Sequence, residues 1–204
     1  MVCKKVVAFL GREGSGKSYQ SNELIKRGYK KLSFANPLRK LAFKVVGLDF
    51  EEGMKQYDTL KRTELVFGMT FRNILEQLGE GVRAIDSDFW IKALVNDIRG
   101  TLENICIDDM RYPNEFIKLH DYCKEHGIEF KAYLCNYNSE RYSGVNPHSS
   151  AKLANYLVDE LHMADLQEVD YNTIATFESN NKTDKLEEEL ALKVKELLNG
   201  RPRR

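Results

Sequence analysis

At 204 residues, with 42% hydrophobic and 30% charged side chains, the chain has the make-up of one globular domain with at most a small insertion. Its 31 basic residues balance 31 acidic ones, and a formal net charge of zero argues against a surface that tracks a nucleic-acid backbone. No apolar run approaches the ~18 residues needed to cross a bilayer, and the start runs straight into a strand pattern, which predicts no signal peptide.

Lys4–Leu10 reads as a buried first strand with a charged start. Gly11-Arg12-Glu13-Gly14-Ser15-Gly16-Lys17-Ser18 follows and satisfies G-x-x-x-x-G-K-[ST]. Ser18 to Arg27 then reads as a helix that Gly28 stops. Strand, glycine-rich loop and helix in that order form the context a phosphate-binding loop requires. Glycines let backbone N–H groups turn inward around a phosphate, and the helix adds its positive N-terminal end. Gly11, Glu13, Gly14, Ser15, Gly16, Lys17 and Ser18 are therefore the candidates to hold a nucleotide's phosphates. Lys17 is placed for the outer phosphates and Ser18 for Mg²⁺.

Lys31–Ala35 predicts a second strand, broken by Asn36-Pro37. Leu38–Val46 has helical spacing; residues 51–71 are mixed, with helical tendency and no clear core face. Phe71–Gly79 is a better helix, with Ile74, Leu75 and Leu78 on one side, and Phe89–Arg99 is another. Asn104–Asp109 is an apolar strand ending in two acids, Asn114–His126 a helix, and Ile128–Leu134 a strand. Residues 136–147 read as a loop and Ser149–Leu161 as a helix. Tyr171–Phe177 reads as a fifth strand, and Asn181–Leu198 as a charged helix before a frayed tail. Strands alternating with helices imply an α/β fold: a mostly parallel five-stranded sheet with helices on both faces, a three-layer α/β/α phosphate-loop domain. None of the four cysteines, Cys3, Cys106, Cys123 and Cys135, forms a C-x-x-C pair; Cys3, Cys106 and Cys135 lie in or beside apolar strand runs and suit buried thiols, and the set suits a reducing, cytoplasmic setting.

In such a sheet the ligand lies at the carboxyl ends of the strands. The phosphate loop, the Asn36-Pro37-Leu38-Arg39 turn and Asp108-Asp109 all fall there, so they converge although far apart in sequence. Asp109 is the first choice, and Asp108 the second, for the acid that serves Mg²⁺ beside Ser18. Arg111 sits at the rim, either bridging transferring phosphates or pairing structurally with Glu115. Arg39, Arg72 and Arg83 are candidates for a second phosphate, and Gln77 for a base edge; for each, an ordinary surface role is the alternative. Trp90 stands between a substrate contact and core packing. Arg141, in the loop after the fourth strand, suits a lid that closes on phosphates.

The phosphate loop, Phe34-Ala35-Asn36-Pro37-Leu38-Arg39-Lys40, Arg72…Leu75-Glu76-Gln77-Leu78-Gly79…Arg83…Trp90 and Asp109-Met110-Arg111-Tyr112-Pro113-Asn114-Glu115 occur in this order. Together they resemble the deoxynucleoside monophosphate kinases of tailed bacteriophages, over about residues 4–180. The resemblance implies a nucleoside monophosphate kinase-like fold with a helical acceptor-binding region over about 36–100 and a lid over about 136–155. It further implies Mg-ATP as the donor and a deoxynucleoside monophosphate as acceptor, in a host-cell cytoplasm. The chain departs from the family pattern at Gly79-Glu80-Gly81 and at His148-Ser149-Ser150-Ala151.

The reading is therefore phosphoryl transfer from ATP to a (deoxy)nucleoside monophosphate by a monomer or homodimer, with no nucleic-acid or membrane partner. Lys17, Arg111 and Arg141 carry the catalytic charge; Arg39, Arg72, Gln77, Arg83 and Trp90 line the acceptor side; Ser18, Asp109 and Asp108 serve the metal. Two alternatives remain: another small-molecule kinase on the same scaffold, such as a dephospho-coenzyme A kinase, or a nucleotide-gated switch or ATPase acting through a protein partner.

Overall fold

The computed structural model describes residues 3–66, 68–137 and 152–182. The chain runs β1 (Lys5–Leu10), α1 (Lys17–Lys26), β2 (Lys30–Leu32), α2 (Ala35–Val45), α3 (Phe50–Lys55), α4 (Tyr57–Leu60), β3 (Glu64–Val66), β4 (Met69–Thr70), α5 (Phe71–Ile85), α6 (Phe89–Arg99), β5 (Ile105–Ile107), α7 (Pro113–Glu125), β6 (Glu129–Leu134), α8 (Lys152–Asn155) and β7 (Gln167–Glu168). A π-helical turn, Tyr156–Glu160, continues α8, and residues 171–182 form a further helix, α9.

Strand β1 carries apolar side chains on both faces. Val6, Ala8 and Leu10 join one core, while Val7 and Phe9 join another with Leu24 of α1 and Tyr29. A strand buried on both faces belongs inside a parallel sheet. It pairs in parallel with β5 (Val6 opposite Ile105) and with β6 along its whole length. The sheet order is β2–β5–β1–β6–β7, with β2 parallel to β5 and only the short edge strand β7 antiparallel. Ile91, Leu94 and Ile98 of α6 and Phe116, Leu119 and Cys123 of α7 cover the face opposite α1. The result is a three-layer α/β/α phosphate-loop fold. All four cysteines are buried free thiols. No helix among the described residues is long and apolar enough to cross a membrane.

Helices α2 to α5 and the β3–β4 hairpin build a helical subregion with its own core. Phe43 of α2 stacks on Phe71 of α5, ring centroids 4.6 Å apart, and Ala42, Leu60 and Ile74 close around them. Tyr57 meets both rings edge-on. Helix α3 fits only because residue 53 is glycine: a Cβ there would lie 2.5 Å from the Phe43 ring.

Three expectations are corrected. Tyr171–Phe177 is the start of α9, not a strand. Asp170 accepts hydrogen bonds from the Thr173 amide and hydroxyl, both 2.9 Å, which caps a helix. Tyr171, Ile174 and Phe177 then share one face, Ile174 fully buried and Phe177 against Tyr156. The fifth strand is β7 instead. Second, the strand expected over Lys31–Ala35 ends at Leu32, before Asn36-Pro37, and Ala35 already opens α2. Asn36-Pro37 lies in the first turn of that helix, where a residue without an N–H costs nothing because those amides have no intrahelical partner. Third, residues 51–71 hold α3, α4 and the β3–β4 hairpin, and their core face is the Phe43–Phe71 stack. The reading of Asn181–Leu198 as a helix, and all of residues 138–151, including Arg141 and His148, lie largely or wholly outside the described residues.

Candidate active site

The loop between β1 and α1 has the shape its sequence requires. Gly11 (φ 142°) passes so close to its neighbours that a Cβ would stand 2.3 Å from the Cys135 carbonyl oxygen and 2.5 Å from Ser15 Oγ. Gly14 and Gly16 sit at φ 77° and 90°, in the left-handed region that side chains with a Cβ disfavour. Gly16 is the N-cap of α1; no side chain caps this end, and the first turn carries no acid. The first-turn amides are thus left for an anion. Lys17 curls over the loop and donates from Nζ to the carbonyl oxygens of Gly11 (2.7 Å) and Arg12 (2.5 Å). Burial lowers its pKa, and the nearby charge of Arg111 lowers it further. The open amides, the glycine cradle and a half-buried lysine fit a polyphosphate.

Two adjacent carboxylates leave the end of β5 in different directions. Asp108 accepts a hydrogen bond from Ser18 Oγ at 3.0 Å on Oδ2, and the same oxygen holds Lys31 Nζ at 2.6 Å. Asp109 accepts from the amides of Phe34 and Ala35, both 3.0 Å, and from Ser33 Oγ. Its oxygens are therefore spent on fixing the entry into α2. The carboxylate that meets Ser18 is Asp108, the second choice drawn from sequence, while Asp109, the first choice, meets the start of α2. The partners come from distant segments: Lys31 of β2 meets Asp108, and the amides at the start of α2 meet Asp109.

Asp109 is also linked to Arg39 through Ser33. Arg39 Nη1 donates to Ser33 Oγ (3.3 Å) and Asn36 Oδ1 (2.8 Å), while its guanidinium lies over the Tyr57 ring, 5.0 Å from the centroid. Its Nε is buried without a partner among the described residues. Arg72 projects from the first turn of α5 and pairs with Glu76 at 3.0 Å. That hydrogen bond raises its pKa most, with smaller electrostatic contributions from Glu13 of the phosphate loop and from Tyr57. Arg72 thus lies within electrostatic reach of the loop. Gln77 is exposed on the same helix.

Arg111 is exposed; Glu115 takes its backbone N–H at 2.7 Å rather than its guanidinium. The structural Arg111–Glu115 side-chain pair weighed from sequence is therefore absent among the described contacts. Glu115 also accepts the Tyr112 amide at 3.1 Å. Burial pushes its carboxyl up to about 7, against those two donors and the more distant Arg83. Arg83 lies 3.8 Å from Glu115, 3.7 Å from Glu80 and over the Tyr112 ring. Trp90 is 3% exposed, and its indole N–H points to the Gly79 carbonyl at 3.4 Å. It packs α6 on α5, and the substrate contact considered for it has no surface to act through.

Sequence reasoning missed Lys31, Ser33, Tyr57 and Arg12. Arg12 donates to Asn155 Oδ1 at 2.9 Å and pairs with Asp159, tying the phosphate loop to the α8 segment. No local pattern marks these residues; each acquires its partner only when distant strand and helix ends meet. Among the described residues no group of His, Cys, Asp and Glu forms a metal cluster by itself.

No protein-family model matches the chain, and no curated protein matches it. Among solved structures, a variant of the Mycobacterium tuberculosis APS kinase CysC is similar at 16% sequence identity and a TM-score of 0.33, covering 80% of this chain and 100% of that one. Overlap this loose gives no residue correspondences.

Proposed function

We propose that the protein is an ATP-dependent kinase of (deoxy)nucleoside monophosphates. The observation that carries this reading is Arg39. It leaves α2, the first helix of the helical subregion, with Nη1 donating to Ser33 Oγ and Asn36 Oδ1, its guanidinium over the Tyr57 ring and its Nε buried without a partner among the described residues. A hydrolase or switch needs one phosphate site; a fixed cation on a separate subregion suits a second, acceptor phosphate. Arg72, paired with Glu76 on α5, adds a second cation to that subregion.

When bound, Mg-ATP supplies the transferable phosphoryl group and a metal that offsets its charge. The loop amides, Lys17 and the α1 N-terminus would hold the donor phosphates, and Ser18 with Asp108 would hold the metal. Lys17 is already half-withdrawn from water, which strengthens its field on an anion. Arg111, exposed beside Lys17, is free to meet charge at the rim. Arg39 and Arg72 hold the acceptor. An anionic acceptor phosphate needs no general base, so catalysis rests on position and electrostatics.

The test is a coupled ADP-release assay with ATP, Mg²⁺ and, in turn, each common ribo- and deoxynucleoside monophosphate and dephospho-coenzyme A. Stimulation by at least one of them is expected. ADP release that no monophosphate stimulates would replace the kinase reading by the switch or ATPase one, and stimulation only by dephospho-coenzyme A would move the substrate class.

A further inference from the structure

Asp108 Oδ2 accepts from two side chains at once: Ser18 Oγ at 3.0 Å and Lys31 Nζ at 2.6 Å. The parallel pairing of β2 with β5 sets Lys31 opposite Cys106, two residues before Asp108, so the sheet itself aims the ammonium at the carboxylate. The Asp108 side chain is 8% exposed, whereas that of Lys31 is 37% exposed. The carboxylate is therefore fixed and the ammonium is free to swing outward. No third acid, histidine or cysteine completes a metal cluster here among the described residues.

Resting on the kinase reading above, we propose that Lys31 is a built-in counter-ion that keeps the metal carboxylate closed to free divalent cations. A cation approaching Asp108 Oδ2 meets a charge already seated at hydrogen-bond distance, and two cations on one oxygen repel. A lone hydroxyl and one neutralised carboxylate hold a hard divalent ion poorly, because such ions demand several oxygen ligands. The protein consequently accepts metal together with the oxygens of a nucleotide and rejects it alone. Lys31 is a positioning residue, acting through Asp108 and not on substrate.

The experiment measures Mn²⁺ binding to the full chain by electron paramagnetic resonance, with and without ADP. Without nucleotide the wild type is expected to bind Mn²⁺ weakly. Lys31→Met and Lys31→Gln should each bind it about tenfold more tightly or better, the size expected for removing one adjacent charge at a half-exposed site. Adding Asp108→Asn to Lys31→Met should abolish that gain. The Gln variant keeps the test open if the Met variant fails to fold, and thermal melting establishes which is folded. Folded variants that bind ADP normally but bind Mn²⁺ no tighter than wild type overturn this proposal alone. A wild type that binds neither ADP nor Mn²⁺ with ADP overturns the nucleotide reading and the proposal with it.

Discussion

Lys17 and the two acids at the end of β5 show how one position decides chemistry. Lys17 Nζ rests on two loop carbonyls and contributes little to packing, so Lys17→Ala should leave the melting temperature near wild type. Its loss removes a preorganised cation from the donor site, and steady-state ADP formation should fall by about 10²-fold or more. Near wild-type turnover in a folded variant would remove Lys17 from the mechanism. The acids should separate cleanly. Asp108→Asn should raise the Mg²⁺ concentration for half-maximal rate, because an amide is a poorer ligand for a hard cation and Asp108 is the acid that meets Ser18. Asp109→Asn should leave the Mg²⁺ titration nearly unchanged. It weakens the charge-assisted bonds to Phe34 N, Ala35 N and Ser33, costing about 1–2 kcal/mol in chemical denaturation. The same substitution loosens Ser33, which holds Arg39, so the acceptor KM should rise. The reverse pattern for the two variants would restore Asp109 as the metal acid.

At the level of elements, the proposed function makes the helical subregion, which carries Arg39 and Arg72, the platform for the acceptor. Arg72→Ala removes a contact shared by ground and transition states, so it should raise the acceptor KM by about tenfold with kcat little changed. A fall in kcat at constant KM would instead make Arg72 a transition-state residue. Helix α3 provides a test of the platform itself. Gly53→Ala drives a Cβ to 2.5 Å from the Phe43 ring, and Phe43 is fully buried in the stack with Phe71. Overpacking of this kind costs about 1–3 kcal/mol. Thermal melting should show the loss, and the acceptor KM should rise more than the KM for ATP, because Arg39 leaves the same helix as Phe43. Equal changes in both KM values would mean that the subregion does not act on the acceptor side alone.

For the whole molecule, Glu115 links stability to pH. It lies under the junction of β5, α5 and α7, and burial pushes its carboxyl from an ordinary value of 4.5 up to about 7. Between those values the folded protein binds a proton that the unfolded chain releases, so stability falls as pH rises through this window and is fully present below it. The loss attributable to Glu115 is at most about 3 kcal/mol. Denaturation at pH 5, 6, 7 and 8 should show wild type losing stability relative to Glu115→Gln, which does not titrate. Parallel curves for the two proteins would mean that the backbone donors at Arg111 and Tyr112 hold the carboxylate ionised throughout.

The phosphate loop was legible in the sequence because its chemistry is local. Glycines at fixed offsets, a strand before and a helix after are set by neighbouring residues, and Gly11, Gly14, Gly16 and Lys17 stand where the pattern requires. The parallel sheet was legible for a related reason: doubly apolar strands such as Val6–Leu10 can be buried only between neighbours on both faces. The end of the sheet was not, since Tyr171–Phe177 has the composition of a strand and the Asp170–Thr173 cap decides for helix. The division of labour between Asp108 and Asp109 was equally hidden. Both acids follow the same strand, and their roles diverge only when β2 brings Lys31 to one and the turn into α2 brings its amides to the other. Tyr57 and Lys31 acquire their places through contacts between segments far apart in the chain, which no local pattern encodes. Sequence determined where a phosphate can sit; tertiary structure decided which charges surround it, because electrostatic partners are chosen by distance in space.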